Sequence, residues 1–143
     1  MKIICVGKLK ENYLKDATNE YLKRLSKYTK IELIELKDSN IHDEADLILK
    51  NINDKEFVIT LEIEGNTLTS KELSQKIESW LINNSNITFV IGGSDGLDEK
   101  VKKRSNYKLS FSNLTFPHQL FRVMLLEQIY RSYKIINNET YHK

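Results

Sequence analysis

Short β-prone runs alternate with helical apolar patterns five times along this chain, and this alternation restricts the fold more than any other feature. The strand-like runs are Lys2 to Gly7, Ile31 to Leu36, Phe57 to Ile63, Ile87 to Ile91 and Lys108 to Ser110. Between and after them, apolar residues recur every three or four positions, which predicts helices. The pattern predicts a single α/β domain over residues 1–143, doubly wound around a mostly parallel sheet. Ligands of such sheets bind at the carboxyl ends of the strands.

Local signals refine these elements. Glutamates alternate with apolar residues in Ile31 to Leu36, which predicts an edge strand, whereas the uninterrupted run Ile87 to Ile91 is typical of a buried parallel strand. Asp38 or Ser39 can cap the second helix. Thr69 and the glutamate three residues later form a capping box, which predicts the start of the third helix.

The longest predicted helix follows the fifth strand and begins near Pro117, a residue suited to a first helical turn. It is apolar on nearly every side, which predicts burial on every side and, in a chain this small, a subunit interface. It nevertheless carries His118 and Arg122 on one stripe and Glu127 and Arg131, four residues apart, on the opposite side. Charges inside a buried helix are costly unless they are paired. Four such residues beside one loop favour a functional site.

Composition excludes several classes of protein. The single cysteine, Cys5, cannot form an internal disulfide and is expected to be buried in the first strand; no Cys/His cluster has zinc spacing, so no metal is expected. No apolar run is long enough to span a membrane, and the amino-terminal run is too short for a signal peptide, which predicts a cytoplasmic protein without a membrane partner.

Charge is distributed unevenly. Residues 100–143 contain nine Lys or Arg and two Asp or Glu, for a formal charge of +7, whereas residues 1–99 carry −5, which gives the net charge of +2. This asymmetry suits a polyanionic partner that docks at one end, although a solvated basic face would look the same. The most basic short stretch contains Lys100, Lys102, Lys103 and Arg104.

Two loops at predicted strand ends carry candidate binding motifs. Gly92 to Gly96 matches the G-x-S-x-G nucleophile elbow with Ser94 as nucleophile, but the chain is short for a hydrolase of that fold and no strong helix follows. The glycines otherwise predict a tight turn that lets a ligand approach the backbone. Phe111 to Phe116 offers backbone amides and small side chains between two aromatic rings, which suits a flat uncharged ring such as adenine.

Five motifs in order resemble the ribosomal RNA large subunit methyltransferase H family of the SPOUT superfamily. They are TLEIEG (Thr60 to Gly65), VIGGSDG (Val90 to Gly96), LSFSNLTFPHQLFRV (Leu109 to Val123), EQIYR (Glu127 to Arg131) and the terminal YHK (Tyr141 to Lys143). The resemblance covers essentially the whole chain. It implies a C-terminal trefoil knot, a homodimer and S-adenosylmethionine as methyl donor. It also implies methylation of ring N3 of a pseudouridine in large-subunit (23S) ribosomal RNA, on the assembled ribosome.

The same resemblance assigns site residues. It implies cofactor binding by Leu61, by Gly92 and by the loop Phe111, Ser112, Asn113, Leu114, Thr115 and Phe116. Because the N3 proton must leave, His118 and His142 are candidate proton acceptors. Arg122 is suited to holding a phosphate or a base carbonyl. The tail Tyr141, His142 and Lys143 is expected to close over cofactor or RNA.

One departure from the family is visible: the segment Lys37 to Glu56 looks short. It lies away from the matched motifs, so it bears on RNA contacts more than on cofactor binding. Two other classes of function remain as alternatives. A non-catalytic RNA-binding dimer would bind no cofactor, and a serine hydrolase would react at Ser94 with an acylating probe.

Overall fold

The computed structural model describes residues 1–143. Strands and helices alternate as the sequence predicts. In chain order they are β1 (Lys2–Val6), α1 (Asn12–Leu25), β2 (Glu32–Leu36), α2 (Ile41–Lys50), β3 (Phe57–Thr67), α3 (Ser70–Asn83), β4 (Ile87–Ile91), α4 (Glu99–Arg104), β5 (Tyr107–Ser110) and α5 (His118–Ile136).

All five strands form one sheet in the order β2-β1-β4-β3-β5, and every neighbouring pair is parallel. The doubly wound α/β fold predicted from the sequence is therefore confirmed. β4 occupies the centre and all of its residues are buried, whereas β2 lies at an edge, where its glutamates can reach solvent. The carboxyl ends of all five strands meet at one edge of the sheet, where ligands of such folds bind.

Helices cover both faces of the sheet. Helix α5 packs against α1 and α3 over one face, in a core that includes Phe89, Leu125, Ile129 and Trp80. Helices α2 and α4 cover the other face through a smaller cluster around Val90. Cys5 is 1% exposed, which confirms the predicted buried position. Helix α5 is covered on most sides, but Leu120 near its start remains 40% exposed.

Helix starts agree with the sequence in some places and differ in others. The Thr69 capping box is confirmed, with reciprocal hydrogen bonds to Glu72. The cap of α2 is Asn40, whose side chain accepts from the Asp43 N–H, so the prediction of Asp38 or Ser39 is wrong by one or two positions. Pro117 occupies the cap position just before α5.

Strand β3 is longer than the sequence predicts because it pairs with β5 on both sides of an irregular segment. Both Leu61 and Asn66 pair with Leu109, so the residues between them bulge away from the ladder. Gly65 lies so close to β5 that a Cβ there would be 2.8 Å from the carbonyl carbon and oxygen of Lys108. The bulge turns Glu62 and Ile63 toward the carboxyl edge of the sheet. The trefoil knot stays a prediction, since strand order alone does not test it.

Candidate functional site

One cleft dominates the carboxyl edge of the sheet, with a volume of about 740 Å³. Its walls are residues 61–63 within the irregular part of β3, residues 91–97 at and after the end of β4, and residues of β5 and the β5–α5 connection, continued by Phe121 on α5. Two of these walls contain the loops that the sequence singles out as candidate binding motifs, and the third contains Leu61, which the resemblance assigns to cofactor binding. Because parallel strands align their carboxyl ends, segments separated by up to 60 residues converge on one space.

Most of the residues assigned to cofactor binding line this cleft. Leu61, Gly92, Phe111, Ser112, Leu114, Thr115 and Phe116 do so, and Asn113, in the same loop, does not. His118, the first residue of α5, also lines the cleft. Binding by these residues stays a prediction. Glu62, Asp95 and Phe121 also line the cleft and lie within the matched motifs, although neither the motifs nor the resemblance assign them a role.

In the turn after β4 the backbone folds back so closely on itself that no side chain fits at Gly92. A Cβ on Gly92 would lie 2.6 Å from the Gly96 oxygen, and the Gly96 N–H donates to the Gly93 carbonyl at 3.0 Å. Gly96 itself has φ +79°, in the left-handed region that favours glycine. Backbone therefore forms this wall of the cleft, as the glycine motif predicts.

Ser94 does not have the surroundings of a hydrolase nucleophile. A nucleophile elbow holds its serine on a strained turn that leads directly into a helix. Ser94 is exposed and has no positive φ, and the next helix begins at Glu99. The geometry therefore gives no support to the hydrolase alternative.

Aromatic rings form the opposite wall. The Phe111 and Phe121 rings lie with centroids 4.7 Å apart, and Phe116 stacks against Phe121 with centroids 6.0 Å apart. The Leu114 N–H donates to Ser112 Oγ at 3.0 Å, which fixes the turn between the two aromatic ends of the loop. A planar ring inserted here would meet apolar surface and loop backbone, in agreement with the expectation for adenine.

The cleft contains few ionisable side chains, and none of them is a lysine or an arginine. Glu62, Asp95 and His118 are the titratable side chains among its lining residues, which include no lysine or arginine. A site for a nucleotide phosphate normally supplies a cation or a helix N-terminus with several free amides. This cleft instead suits a ligand that is uncharged or positively charged at the part that meets these carboxylates.

His118 lies at the end of the cleft nearest β1. Its Nε2 is 3.5 Å from the position that a Cβ of Gly7 would occupy, and the two Asp38 carboxylate oxygens lie 3.2 and 3.3 Å from the same point. Gly7 has φ +95° and no side chain, so it keeps this space open. The imidazole is half-buried and lines the cleft.

Arg122, by contrast, points away from the cleft. It is 1% exposed, its Nη1 donates to Glu35 Oε2 at 2.5 Å and its Nη2 donates to the Gly7 carbonyl at 2.8 Å. The remaining Nε–H has no hydrogen-bond partner. In the single chain, Arg122 therefore ties α5 to β1 and β2. A direct contact with RNA stays a prediction.

The C-terminal tail packs along α5. The Tyr141 hydroxyl donates to Glu127 Oε1 at 3.1 Å, and His142 Nδ1 lies 3.0 Å from an Arg131 Nη1. The predicted pairing of Glu127 with Arg131 is confirmed, since Arg131 Nε donates to Glu127 at 3.0 Å. These partners lie roughly 13 and 20 Å along α5 from His118, at about 1.5 Å per residue. Tyr141, His142 and Lys143 do not line the cleft of their own chain.

The basic stretch in α4 is less free than its sequence suggests. Arg104 donates to the carbonyls of Asn53 and Glu56, Lys100 pairs with Asp46 at 3.4 Å, and Lys102 lies 3.8 Å from Glu99. Arg104 thus fixes the loop before β3.

No group of three or more His, Cys, Asp or Glu side chains is arranged to hold a metal ion. None of the helices is both long enough and apolar enough to cross a membrane.

The fold and the cleft together define a class of protein. Residues 1–142 match the family model described as "Predicted SPOUT methyltransferase". Among solved structures, a probable methylase family protein from Haemophilus influenzae has a TM-score of 0.61 at 12% identity, covering 99% of this chain and 70% of that chain. The tRNA (m1G37) methyltransferase from Aquifex aeolicus has a TM-score of 0.57 at 16% identity, covering 92% and 69%. At these identities the likeness supports the fold alone.

Sequence relatives narrow the class. The ribosomal RNA large subunit methyltransferase H of Clostridium tetani is 58% identical, over 99% of this chain and 98% of its own length. The protein of the same name from Clostridium botulinum is 54% identical, over 100% and 99%. The chain therefore belongs to the ribosomal RNA large subunit methyltransferase H family of SPOUT methyltransferases.

These relatives contain residues that this chain lacks. The alignment with the Clostridium tetani protein spans 155 positions, whereas the whole chain has 143 residues. A deletion relative to the family is thus a property of this chain. Its assignment to the segment between β2 and β3 stays a prediction from the sequence.

Proposed function

We propose that this protein transfers a methyl group from S-adenosylmethionine to ring N3 of a pseudouridine in large-subunit ribosomal RNA, on the assembled ribosome in the cytoplasm. The observation that carries the proposal is the cleft at the ends of β3, β4 and β5. It combines an aromatic and backbone-lined wall with two carboxylates and no lysine or arginine. Family membership gives the reaction class, and the finer substrate assignment rests on the motif resemblance.

The residues of the cleft fit this cofactor. S-adenosylmethionine has no phosphate and carries positive charge on its sulfonium and ammonium groups, so a cleft without cations suits it better than it suits a phosphorylated nucleotide. Leu61, Gly92 and the loop from Phe111 to Phe116 would hold the adenosine part. When bound, the cofactor supplies an electrophilic methyl group. The protein contributes alignment and exclusion of water.

His118 is the proposed proton acceptor. Methylation at N3 removes the imide proton, and His118 is the only histidine that lines the cleft. Its position at the first residue of α5 leaves its side chain beside the opening kept by Gly7. Arg122 is then a positioning residue for His118, because its hydrogen bonds to Glu35 and the Gly7 carbonyl hold the start of α5 against the end of β1.

A homodimer is part of the proposal. The tail Tyr141 to Lys143 contacts the middle of α5, away from the cleft of its own chain. A role for the tail in methyl transfer therefore requires the cleft of a second chain. The exposed Leu120 and Leu114 beside the start of α5 supply apolar surface for such a partner.

The proposal is tested by incubating the protein and radiolabelled S-adenosylmethionine with ribosomes that lack the modification, and separately with free ribosomal RNA. We expect label at a pseudouridine of large-subunit RNA in ribosomes, little in free RNA, and loss of at least about a hundredfold in rate for His118→Ala, as is typical for a proton-transfer residue. The control His42→Ala alters a histidine whose Nδ1 pairs with Asp98, outside the cleft.

The alternative outcomes are distinct. Cofactor binding without label in RNA would mean another substrate. Absence of cofactor binding together with retained RNA binding would support the non-catalytic RNA-binding dimer instead. Full activity of His118→Ala would remove His118 from the mechanism and leave the proposed reaction standing.

A further inference from the structure

Glu62 is a carboxylate held in the cleft without a cationic partner. It is half-buried and lines the cleft at the start of the bulge in β3. It takes part in none of the ion pairs of this chain. A partly desolvated carboxylate without a counterion costs free energy, and binding a cation there recovers part of that cost.

A buried hydroxyl group fixes the orientation of Glu62. The Thr60 hydroxyl donates to Glu62 Oε2 at 2.5 Å, and Thr60 itself is fully buried. Thr60 Oγ1 also lies 2.7 Å from Ser105 Oγ, on the connection between α4 and β5. An ionised carboxylate can only accept hydrogen bonds, so the second oxygen, Oε1, remains available to a donor in the cleft.

We propose that Glu62 binds the α-ammonium group of S-adenosylmethionine. This inference rests on the proposed function and adds a binding residue to it. An ammonium group has three N–H donors and forms short, directional hydrogen bonds with a carboxylate, whereas a sulfonium has no donor. Asp95, the other carboxylate of the cleft, is exposed on the glycine turn and has no comparable side-chain anchor.

The chemistry of methyl transfer also separates the two cationic groups of the cofactor. A carboxylate oxygen aligned with the sulfonium methyl would be a competing nucleophile and would itself be methylated. Glu62 is therefore better placed against the ammonium, which lies three carbon atoms from the sulfur and takes no part in the transfer. The ammonium contact orients the amino-acid part of the cofactor and leaves the methyl free for the RNA base.

Isothermal titration calorimetry on the full chain tests this assignment with three ligands. S-adenosylmethionine carries both cationic groups, S-adenosylhomocysteine keeps only the ammonium, and 5′-methylthioadenosine has neither. We expect Glu62→Gln to weaken the first two by about tenfold or more, as for loss of a hydrogen bond between charged groups, and to change the third by less than about threefold. Gln keeps an oxygen that can accept from Thr60.

Two further variants sharpen the test. Glu64→Gln alters the exposed carboxylate two residues along the strand, which does not line the cleft, and should leave all three affinities unchanged. Thr60→Val removes the hydroxyl that orients Glu62. It should give the same pattern of ligand dependence with a smaller loss, which tests the idea even if Glu62→Gln does not fold.

Each other result overturns the inference in a recognisable way. Equal losses for all three ligands would place Glu62 against the adenosine part. A loss for S-adenosylmethionine alone would place it against the sulfonium, and no loss for any ligand would exclude a contact. Failure of the unmodified protein to bind any of the three would overturn the proposed function as well.

Discussion

Arg122 joins three parts of the chain that are far apart in sequence. Its guanidinium links α5 to Glu35 on β2 and to the carbonyl of Gly7 after β1. The same Glu35 oxygen accepts from the Leu9 N–H at 3.2 Å, so the loop after β1 is fastened to the network as well. Because Gly7 in this loop faces His118, a partly buried ion pair outside the cleft helps to position a residue that lines it.

Replacing Arg122 should therefore destabilise the fold. We expect Arg122→Ala to lower the free energy of unfolding by about 2 to 4 kcal/mol, because the buried Gly7 carbonyl loses its donor, Glu35 loses its counterion and a buried side chain is removed. Urea denaturation measures the change. Arg24→Ala, which removes an exposed pair with Glu20 and contacts with the Tyr21 and Tyr130 rings, is the control and should destabilise the chain much less. An Arg122→Ala protein as stable as the original, but defective in RNA binding, would restore the direct RNA role.

Cys5 provides a prediction about alkaline pH. Burial raises the pKa of its thiol from 9.0 to about 11, with the nearby Arg122 charge opposing the effect. Between these values the unfolded chain has lost the proton that the folded chain keeps, so the stability contributed by Cys5 falls as pH rises from 9 to 11. The contribution is about 1 to 3 kcal/mol.

Two measurements check this behaviour. Ellman's reagent should leave the native thiol unmodified at pH 8 and react fully once urea unfolds the chain, because only an accessible thiolate is a nucleophile. Urea titrations at pH 9 and 11 should show a smaller loss of stability for Cys5→Ala than for the original chain. Rapid labelling of the folded protein would show that the thiol is accessible.

At the scale of elements, the parallel pairing of β3 with β5 includes a close backbone contact at Gly65. A Cβ on Gly65 would meet the Lys108 backbone at 2.8 Å, and backbone cannot swing aside as a side chain can. We expect Gly65→Ala to lower the free energy of unfolding by at least about 2 kcal/mol, measured by urea denaturation, since overpacking forces the strands apart.

Gly96→Ala is the matched comparison for this variant. It places a methyl group where nothing lies within 4 Å but where φ is +79°. Its cost should be limited to about 1 kcal/mol of backbone strain. If the two substitutions cost the same, the close approach at Gly65 is relieved by a small shift of β5.

Sequence patterns predicted the elements that depend on local signals. The bounds of β4 agree at both ends, because an uninterrupted β-branched and aromatic run is typical of a strand buried on both faces. The capping box predicts the start of α3 because its hydrogen bonds join residues only three positions apart. The last four residues of β3 lie beyond the strand that the sequence predicts, since Glu64, Gly65 and Asn66 are poor strand formers and pair only because β5 lies beside them.

In the candidate site, too, some features follow from local sequence patterns and others do not. Loops at strand ends could be located from the order of elements, so most of the cleft was predicted. The orientation of a side chain depends on partners that are distant in sequence. Arg122 was interpreted as a site residue because its partner Glu35, 87 positions away, cannot be read from the helix pattern. Glu62 cannot be recognised from the sequence as a cleft residue, because the irregular segment of β3 in which it lies depends on pairing with β5.

At the scale of the whole molecule, the separation of tail and cleft makes a prediction about cooperation between chains. We expect an equimolar mixture of His118→Ala chains and chains truncated after Thr140, unfolded and refolded together, to recover roughly a quarter of the original methylation activity. Half of the dimers would then be mixed and each would hold one complete site. The measurement is label in ribosomal RNA.

The two parent variants, refolded separately, are the controls and should both be inactive. Recovery in the mixture would mean that the tail of one chain serves the cleft of the other. Activity in the truncated chain alone would remove the tail from the reaction. A mixture as inactive as its parents, with dimers present by light scattering, would mean that tail and cleft cooperate within one chain.

The packing of α5 over one face of the sheet affects when this protein can fold during its synthesis. The face of the sheet that carries Ile3 and Phe89 is covered by Leu125, Ile129 and Tyr133, from the last fifth of the chain. During synthesis this apolar surface stays uncovered until α5 has left the ribosomal tunnel, so this face of the sheet is packed only after all five strands have been made. A chain that terminates just before α5 would contain the strands but leave this apolar face exposed, which would make it a target for chaperones and proteases.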